Sequence, residues 1–409
     1  MQNSNIPHIS QSSEVRRSSR APFDFAELAR VDKERLQILT ELHFPSSDAE
    51  PEPEHLVEKD HARDPNSVVN ATGFTIAEFW EIFAVVQENL RATFPVRGRA
   101  PHFNTEDTFY ILLQYLRAGM KPAQLAVTHK VSPSIMQATL ERGLSGTRDA
   151  LVAEFITPIS KGEQAKRGIS SPNFPEVALI IDCSVQECER PAGHFGGEQK
   201  RFFSGKHHFH CYKREYAHLP NGMVAFVSEV FPGAMHDMTV CRTMQEKYAQ
   251  FLAKKPDEID LKDPDVGATS WAILADKGYA GLEQGLRAIL PIRENSRARG
   301  GSDSTTIYEA RLGGARIMCE NFYGRKVTCF LISRNCFTAS MDKFKVVDDI
   351  TTALTNYHAL KRPLRREDAQ LHRALLAEKK EKATARIERK RAQNAEYQRN
   401  FRRRIEGAQ

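Results

Sequence analysis

The chain has 409 residues, enough for two or three domains with a substantial buried core. Its 41% apolar and 27% charged residues are ordinary for a soluble protein, and no apolar run approaches the roughly 18 residues of a membrane-spanning helix. The net charge of +6 is uneven, because residues 361–409 contain 16 Lys and Arg against 7 Asp and Glu, a net of +9 (16 − 7). Because the chain has no apolar run of that length, we expect no membrane association. The basic C-terminal extension is of the kind that binds nucleic acid, although a solvated charged helix has the same composition.

The N-terminal segment, residues 1–70, has the composition of a disordered arm. It begins without an apolar stretch, which excludes a secretory signal, and a proline-rich acidic passage follows. The seven cysteines of the chain are scattered and odd in number, so we expect no disulfide framework and a reducing compartment, nuclear or cytosolic.

Residues 71–160 have a helical pattern. Thr75 begins a capping box, and Ser132 followed by Pro133 is a strong helix start. A short helix, a turn and this second helix match a helix-turn-helix, whose second helix would enter the major groove. A plain helical bundle without DNA contact is the alternative. The candidate recognition residues are Ser134, Gln137 and Arg142.

From residue 175 the pattern changes to strands. Three passages with a strand pattern, VALIIDCSVQ, KHHFHCYKREYAHL and MVAFVSEVFPG, predict an antiparallel meander. A helix over 237–251, strands at WAILAD and AILPIRE, and helices over 308–325 and 343–360 follow. This order predicts an α/β domain over 175–360, a ribonuclease H-like core with a mixed sheet flanked by helices. Residues 361–409 then form a basic helical tail.

Four acidic residues end predicted strands or lie on predicted helices: Asp182, Asp237, Asp276 and Glu320. An apolar run that stops on a carboxylate marks a buried strand that delivers a charge to its exposed end. Converging carboxylates repel one another unless a divalent cation lies between them. Divalent cations held between carboxylates are the arrangement that enzymes of phosphoryl transfer use. The alternatives to a catalytic role are solvated strand ends at Asp182 and Asp276, a helix cap at Asp237 and a surface acid at Glu320.

Four passages in order resemble motifs of PIF/Harbinger-type transposases and the nucleases derived from them, part of the DDE superfamily. The likeness covers roughly residues 74–358. The passages are FSGKHHFH at 203–210, PGAMHD at 232–237, ADKGY at 275–279 and RIMCENFYGR at 316–325. One departure is Cys183-Ser184 after the first acid, where the family usually has Gly-Thr.

The resemblance implies that Asp182, Asp276 and Glu320 are catalytic, with Asp237 as a further metal ligand. It also implies Mg²⁺ or Mn²⁺ as cofactor, DNA as substrate and a Myb-like partner protein. The basic cluster of the tail could act as a nuclear import signal, so we expect nuclear localisation. We further expect a homo-oligomer. Arg316, one turn before Glu320, could pair with that acid or contact a phosphate. The remaining candidate DNA contacts are Lys206, Lys277, Arg389, Arg391 and Arg403. A domesticated derivative that binds DNA or a partner without cleavage is the alternative function, and another metal-dependent phosphoesterase is a third.

Overall fold

A computed structural model of the chain describes residues 55–191, 196–292, 303–365 and 368–406. In those residues, helices flank one seven-stranded mixed sheet, as the sequence predicts. None of the helices described there is long and apolar enough to cross a membrane, and all seven cysteines are free thiols. Residues 1–54 of the predicted arm lie outside the described residues.

Seven helices precede the first strand in the described part of the chain. Their start and stop signals act as predicted: the Thr75 hydroxyl accepts from the Glu78 N–H, and Ser132 accepts from the N–H of Ile135. Gly119 ends a helix in the left-handed conformation, with φ of 59°. The seven are α1 (Leu56–Arg63), α2 (Ser67–Thr72), α3 (Ile76–Ala92), α4 (Thr105–Ala118), α5 (Pro122–Thr128), α6 (Pro133–Phe155) and α7 (Lys161–Lys166).

Helices α1 and α2 correct the prediction that disorder extends to residue 70. Val57 and Val68 are fully buried in the core of the helical region. Polar contacts add to this, because Asp60 accepts from the Tyr110 hydroxyl at 2.8 Å and Asp107 accepts from the Leu56 N–H at 2.7 Å. The acidic composition of this passage obscured a few apolar residues at helical spacing, which bury enough surface to order the segment.

The sheet has the order β2-β3-β1-β6-β7, and β4 and β5 also pair with β3. β1 is antiparallel to β3 and parallel to β6, which makes the sheet mixed. The first five residues of β1 are buried, and every later residue is more exposed, so the strand delivers its second half to an edge of the core. The strands are β1 (Val177–Glu187), β2 (Phe203–Ser204), β3 (Phe209–His218), β4 (Val224–Val227), β5 (Phe231–Pro232), β6 (Ala272–Leu274) and β7 (Ala288–Ile289).

Helices cover both faces of the sheet. Tyr248 and Leu252 pack on one face together with Ile181, and Phe322 packs on the other with Ile180. The predicted helix over 237–251 is two helices, and the VTCFLI passage, open between strand and helix, ends a helix and forms a 3₁₀ turn (Leu331–Ser333). The helices are α8 (Gly196–Phe202), α9 (Asp237–Arg242), α10 (Gln245–Leu252), α11 (Asp303–Cys329), α12 (Met341–Lys361) and α13 (Asp368–Glu406), with 3₁₀ turns at Pro256–Glu258, Lys277–Tyr279 and Leu282–Gln284.

Helix α12 joins the sheet region to the N-terminal helices. Ile350 and Leu354 are fully buried in the same apolar core as Phe79 of α3 and Leu140 of α6. The long basic helix α13 is docked as well, because Asp368 accepts from the buried Arg325 of α11 at 2.9 Å. The helices predicted as a separate DNA-binding unit therefore share their core with a helix of the sheet region.

Candidate active site

Asp182 and Asp276 lie side by side because β1 and β6 are parallel neighbours. The sequence predicts a strand end at Asp182, but β1 continues to Glu187, so Asp182 lies at the middle of the strand, where its buried half stops. In the register of β1 and β6, Ile180 is paired with Leu274, and each acid is two residues further along its strand. The carboxyl ends of parallel strands meet at one edge of a sheet, where ligands bind in α/β folds. Asp276 also begins the 3₁₀ turn Lys277–Tyr279, where its Oδ1 accepts from the Gly278 N–H at 2.7 Å.

Arg316 lies between these two acids. Its Nη2 is 3.7 Å from Oδ1 of Asp182 and 3.7 Å from Oδ2 of Asp276. Burial opposes the charge of Arg316, but the two aspartates together raise its pKa above the ordinary value, with a smaller contribution from Glu320. Glu320 follows Arg316 by one turn of α11, so both residues lie on the same face of the helix. The guanidinium thus interacts electrostatically with all three acids assigned to the catalytic set.

Burial is the main influence on the ionisation of Asp182. It raises the pKa of this carboxyl to about 7, where Arg316 and Lys206 lower it and Asp276 and Asp237 raise it further. The backbone carbonyl of the same residue accepts from the Tyr323 hydroxyl at 3.2 Å, which fixes the middle of β1 against α11. A carboxyl perturbed in this way, next to other acids, is typical of functional sites.

Asp237 approaches the pair from the opposite face of the sheet. Its Oδ1 accepts from Nζ of Lys213 at 2.8 Å. A Cβ built on Gly278 would lie 2.9 Å from Oδ1 of Asp276 and 3.2 Å from Oδ2 of Asp237, so this glycine leaves room for both acids. His236 is the N-cap of α9 and Asp237 is its first residue, which differs from the helix-cap alternative for Asp237.

The oxygen donors at this edge suit a hard divalent cation, although the site is not a closed cage. Among the described residues, no three Asp, Glu, His or Cys side chains converge closely enough to hold one ion. Mg²⁺ in proteins is commonly held by one or two carboxylates together with water and substrate phosphates. Asp182 and Asp276, which flank one guanidinium nitrogen, provide two carboxylates of that kind.

Two lysines predicted to contact phosphate lie at the rim of the acids. Lys206 and Lys277 are both exposed; the first lowers the pKa of Asp182 and the second directly follows Asp276. Arg389 and Arg391 are exposed on α13, and the side chain of Arg403 lies outside the described residues.

The three candidate DNA contacts of the predicted helix-turn-helix lie on α6, one of the N-terminal helices. Ser134 is exposed, Gln137 donates to Glu141 at 2.6 Å, and the guanidinium of Arg142 lies 4.9 Å from the centre of the Phe94 ring. The last two side chains therefore already have partners on the protein surface.

Sequence reasoning missed Lys213 and Glu215, two charged residues within β3. Glu215 is fully buried beneath the site, and Oε1 accepts from the Tyr248 hydroxyl at 2.8 Å. The one signal that could have found them was a run of three charges, Lys213, Arg214 and Glu215, in the middle of a predicted strand, where alternate side chains point to opposite faces. Cys183, the departure from the family pattern, accepts from the Tyr279 hydroxyl at 3.3 Å, which leaves the Asp182 carboxylate unobstructed.

Comparison with known families is consistent with this geometry. Residues 181–356 match the model of a family described as DDE superfamily endonuclease. The match begins one residue before Asp182, ends within α12 and contains Asp237, Asp276 and Glu320. Neither a curated protein nor a solved structure matches the chain significantly. The region that holds the four acids is therefore similar to DDE superfamily endonucleases, which supports a transposase-derived nuclease.

Proposed function

We propose that the chain is a divalent-metal-dependent DNA endonuclease of the PIF/Harbinger transposase type. The observation that carries this proposal is the placement of Asp182 and Asp276 within 3.7 Å of the same nitrogen of Arg316, with Glu320 one turn further along α11. A ribonuclease H-like core is part of the proposal. The strand order β4-β3-β1-β6-β7, with a meander followed by two parallel strands, supports it.

Asp182 and Asp276 would hold Mg²⁺ or Mn²⁺, with Glu320 and Asp237 as the further ligands of a two-metal site. Divalent cations there would supply Lewis-acid stabilisation of the charge that develops on the attacking and leaving oxygens of a phosphodiester. Lys206 and Lys277 would hold the phosphates on either side of the scissile bond. A freed 3′-hydroxyl that returns to the same acids would account for strand joining.

The remaining parts of the proposal concern DNA and partners. Helix α13 would follow the DNA backbone through Arg389 and Arg391, and the same basic cluster would act as a nuclear import signal. Helix α6 would contact DNA through Ser134. A Myb-like partner protein and self-association complete the assembly that the family resemblance implies.

A nicking assay tests the central claim. Supercoiled plasmid is incubated with the full chain and Mn²⁺ or Mg²⁺, and Asp182→Asn is compared with Asp260→Asn, which makes the same change at an exposed loop position. We expect the first variant to lose nicking by on the order of 1,000-fold and the second to retain it. Metal-dependent nicking that survives Asp182→Asn would refute the assignment.

The second candidate function is a nuclease-derived protein that binds DNA without cleavage. The position of Arg316 favours it, because a permanent guanidinium between the first two acids would occupy the place of a cation. In the same assay this candidate predicts retained DNA binding, measured by fluorescence anisotropy, with no metal-dependent nicking by the unmodified chain.

A further inference from the structure

We propose that Arg316 is a built-in counter-ion of Asp182 and Asp276 that a divalent cation must displace, so that this arginine sets the affinity of the chain for metal. The proposal rests on the metal-dependent function proposed above. It adds a specific role for Arg316, that of a competitor for the metal site.

The charge balance at the site is the first argument. Within the described residues, Arg316 provides the only ion pair closer than 4 Å to either Asp182 or Asp276. Asp237, in contrast, has its own partner in Lys213 at 2.8 Å. Two adjacent carboxylates without a cation would repel each other strongly at this partly buried edge. Arg316 therefore supplies the charge that keeps the acids together when no metal is bound.

The second argument is that Arg316 is held loosely. A separation of 3.7 Å is too long for an N–H···O hydrogen bond, whereas the neighbouring pairs Lys213–Asp237 and Arg214–Asp348 have 2.8 Å contacts. Nε of Arg316 is buried and has no hydrogen-bond partner within the described part of the chain. The guanidinium thus contributes charge with little directional bonding. A divalent ion carries twice the charge and bonds oxygen at roughly 2.0–2.1 Å, so it would outcompete Arg316.

The third argument is that a displaced Arg316 has space to occupy. A cavity of about 730 Å³ lies beside the acids between β7 and α11, and Lys277, Leu312, Gly313 and Arg316 are among the residues that line it. A long arginine side chain can turn into this space while its Cα stays on the helix. There it would face the same solvent-accessible groove as Lys277, which Glu283 and Glu309 also line, so the displaced guanidinium would have carboxylates to pair with.

Metal affinity measured by calorimetry, without DNA, tests this competition. Mn²⁺ is titrated into the full chain and into Arg316→Gln, Arg316→Lys and Arg311→Gln. The last variant removes the same charge from an exposed position of the same helix. We expect Arg316→Gln to bind Mn²⁺ about tenfold more tightly than the unmodified chain, because no internal cation competes. Arg316→Lys keeps the charge but cannot span both acids, so its gain is expected to be about threefold.

Thermal unfolding provides a second measurement. Without metal, Arg316→Gln should unfold at a lower temperature than the unmodified chain, and the rise on adding Mn²⁺ should be larger. Should Arg316→Gln not fold, Arg316→Lys alone decides, because the proposal requires tighter binding in that variant also.

The outcomes separate the two proposals. Equal or weaker Mn²⁺ binding by Arg316→Gln and Arg316→Lys, with binding by the unmodified chain that Asp182→Asn abolishes, would overturn the competition and leave the metal site intact. A gain in Arg311→Gln equal to that in Arg316→Gln would also overturn it, since a general charge effect would then suffice. No Mn²⁺ binding by any of the proteins would refute the metal-dependent function itself, and the competition with it.

Discussion

Arg214 of β3 and Asp348 of α12 form an ion pair at 2.8 Å in which each side chain is only 3% exposed. Asp348 also accepts from Lys326 and from the Tyr216 hydroxyl, and Arg214 also donates to Asp349 at 2.7 Å. Buried charges are tolerated only when paired and hydrogen-bonded in this way. The network fastens the strand next to β1 to α12, and α12 in turn packs among the N-terminal helices. The pair therefore couples the scaffold of the acids to the rest of the protein.

Asp348→Ala is expected to lower the free energy of unfolding by about 3–5 kcal/mol, because it leaves Arg214 and Lys326 with less compensation for their buried charge. Urea unfolding followed by circular dichroism measures this. The matched control is Lys345→Ala on the same helix, whose partner Glu229 is 69% exposed, and whose loss should cost less than about 1 kcal/mol. Equal losses in the two variants would contradict the role given to the buried network.

Gly278→Ala should impair cleavage with little effect on folding. The added methyl would approach the carboxylates of Asp276 and Asp237 to 2.9 and 3.2 Å, so one of them must move. The backbone at this glycine is not left-handed, and therefore alanine introduces no strain of its own. We expect nicking to fall at least about tenfold, while the unfolding temperature changes little. Gly267→Ala is the control, because its methyl would meet only a side-chain oxygen of Asp265 at 3.8 Å.

Local signals accounted for much of the scaffold. The apolar runs before Asp182 and Asp276 predicted two strands that lead into acids, and the parallel pairing of β1 and β6 brings these acids together. The strand end predicted at Asp182 is wrong, because β1 continues to Glu187. The capping box at Thr75 and the Ser132-Pro133 start also operate in the structure. These features depend on residues close in the chain, which is why a sequence reveals them.

Features that depend on docking between distant elements could not be predicted in this way. Arg316 was expected to face Glu320 or a phosphate, but the packing of α11 against β1 brings it to Asp182 and Asp276 as well. The sequence predicts the helix over 343–360 but not that its Asp348 and Asp349 are buried, each in an ion pair with a strand more than 130 residues earlier. Such contacts are set by tertiary packing, which periodicity alone does not encode.

Stability should depend on pH through Glu215. Burial raises the pKa of this carboxyl to about 7 from the ordinary 4.5, although the Tyr248 hydrogen bond opposes the shift. Between these values the folded chain retains a proton that the unfolded chain releases, so stability falls as pH rises from about 4.5 to 7 and then levels off. Glu215→Gln, neutral throughout, should remove about 3 kcal/mol of this decline. Chemical unfolding at pH 5 and pH 8 measures the difference, and Glu246→Gln, an exposed change on α10, should leave the decline unaltered.

Helix α13 is close enough to the acids to extend the proposed DNA surface. Burial lowers the pKa of His207 to about 4; Lys380 of α13 lowers it further, and Asp237 raises it. Burial also lowers the pKa of His210, and Arg386 of α13 adds to that decrease. The helix therefore passes the end of β3 on its way to its exposed basic stretch. Removal of the whole tail from residue 361 would also remove Asp368, the partner of the buried Arg325, and would confuse binding with folding.

Substitution of Arg389, Lys390 and Arg391 by glutamine avoids that problem, because all three are exposed beyond the docked part of α13. If they bind phosphates, the slope of log affinity against log salt should become shallower by about 0.9 for each phosphate that is no longer neutralised, up to roughly 3 in total. Fluorescence anisotropy with a duplex of arbitrary sequence at several salt concentrations measures this slope.

The control is the triple glutamine variant of the exposed Lys166, Lys255 and Lys262. Lys166 belongs to α7, which contacts the first residue of β1 through the bond from Lys161 to the Val177 carbonyl, so this charge lies away from the acids. An equal change of slope in both variants would indicate attraction by net charge alone, and an unchanged slope in the first would exclude α13 from the DNA path.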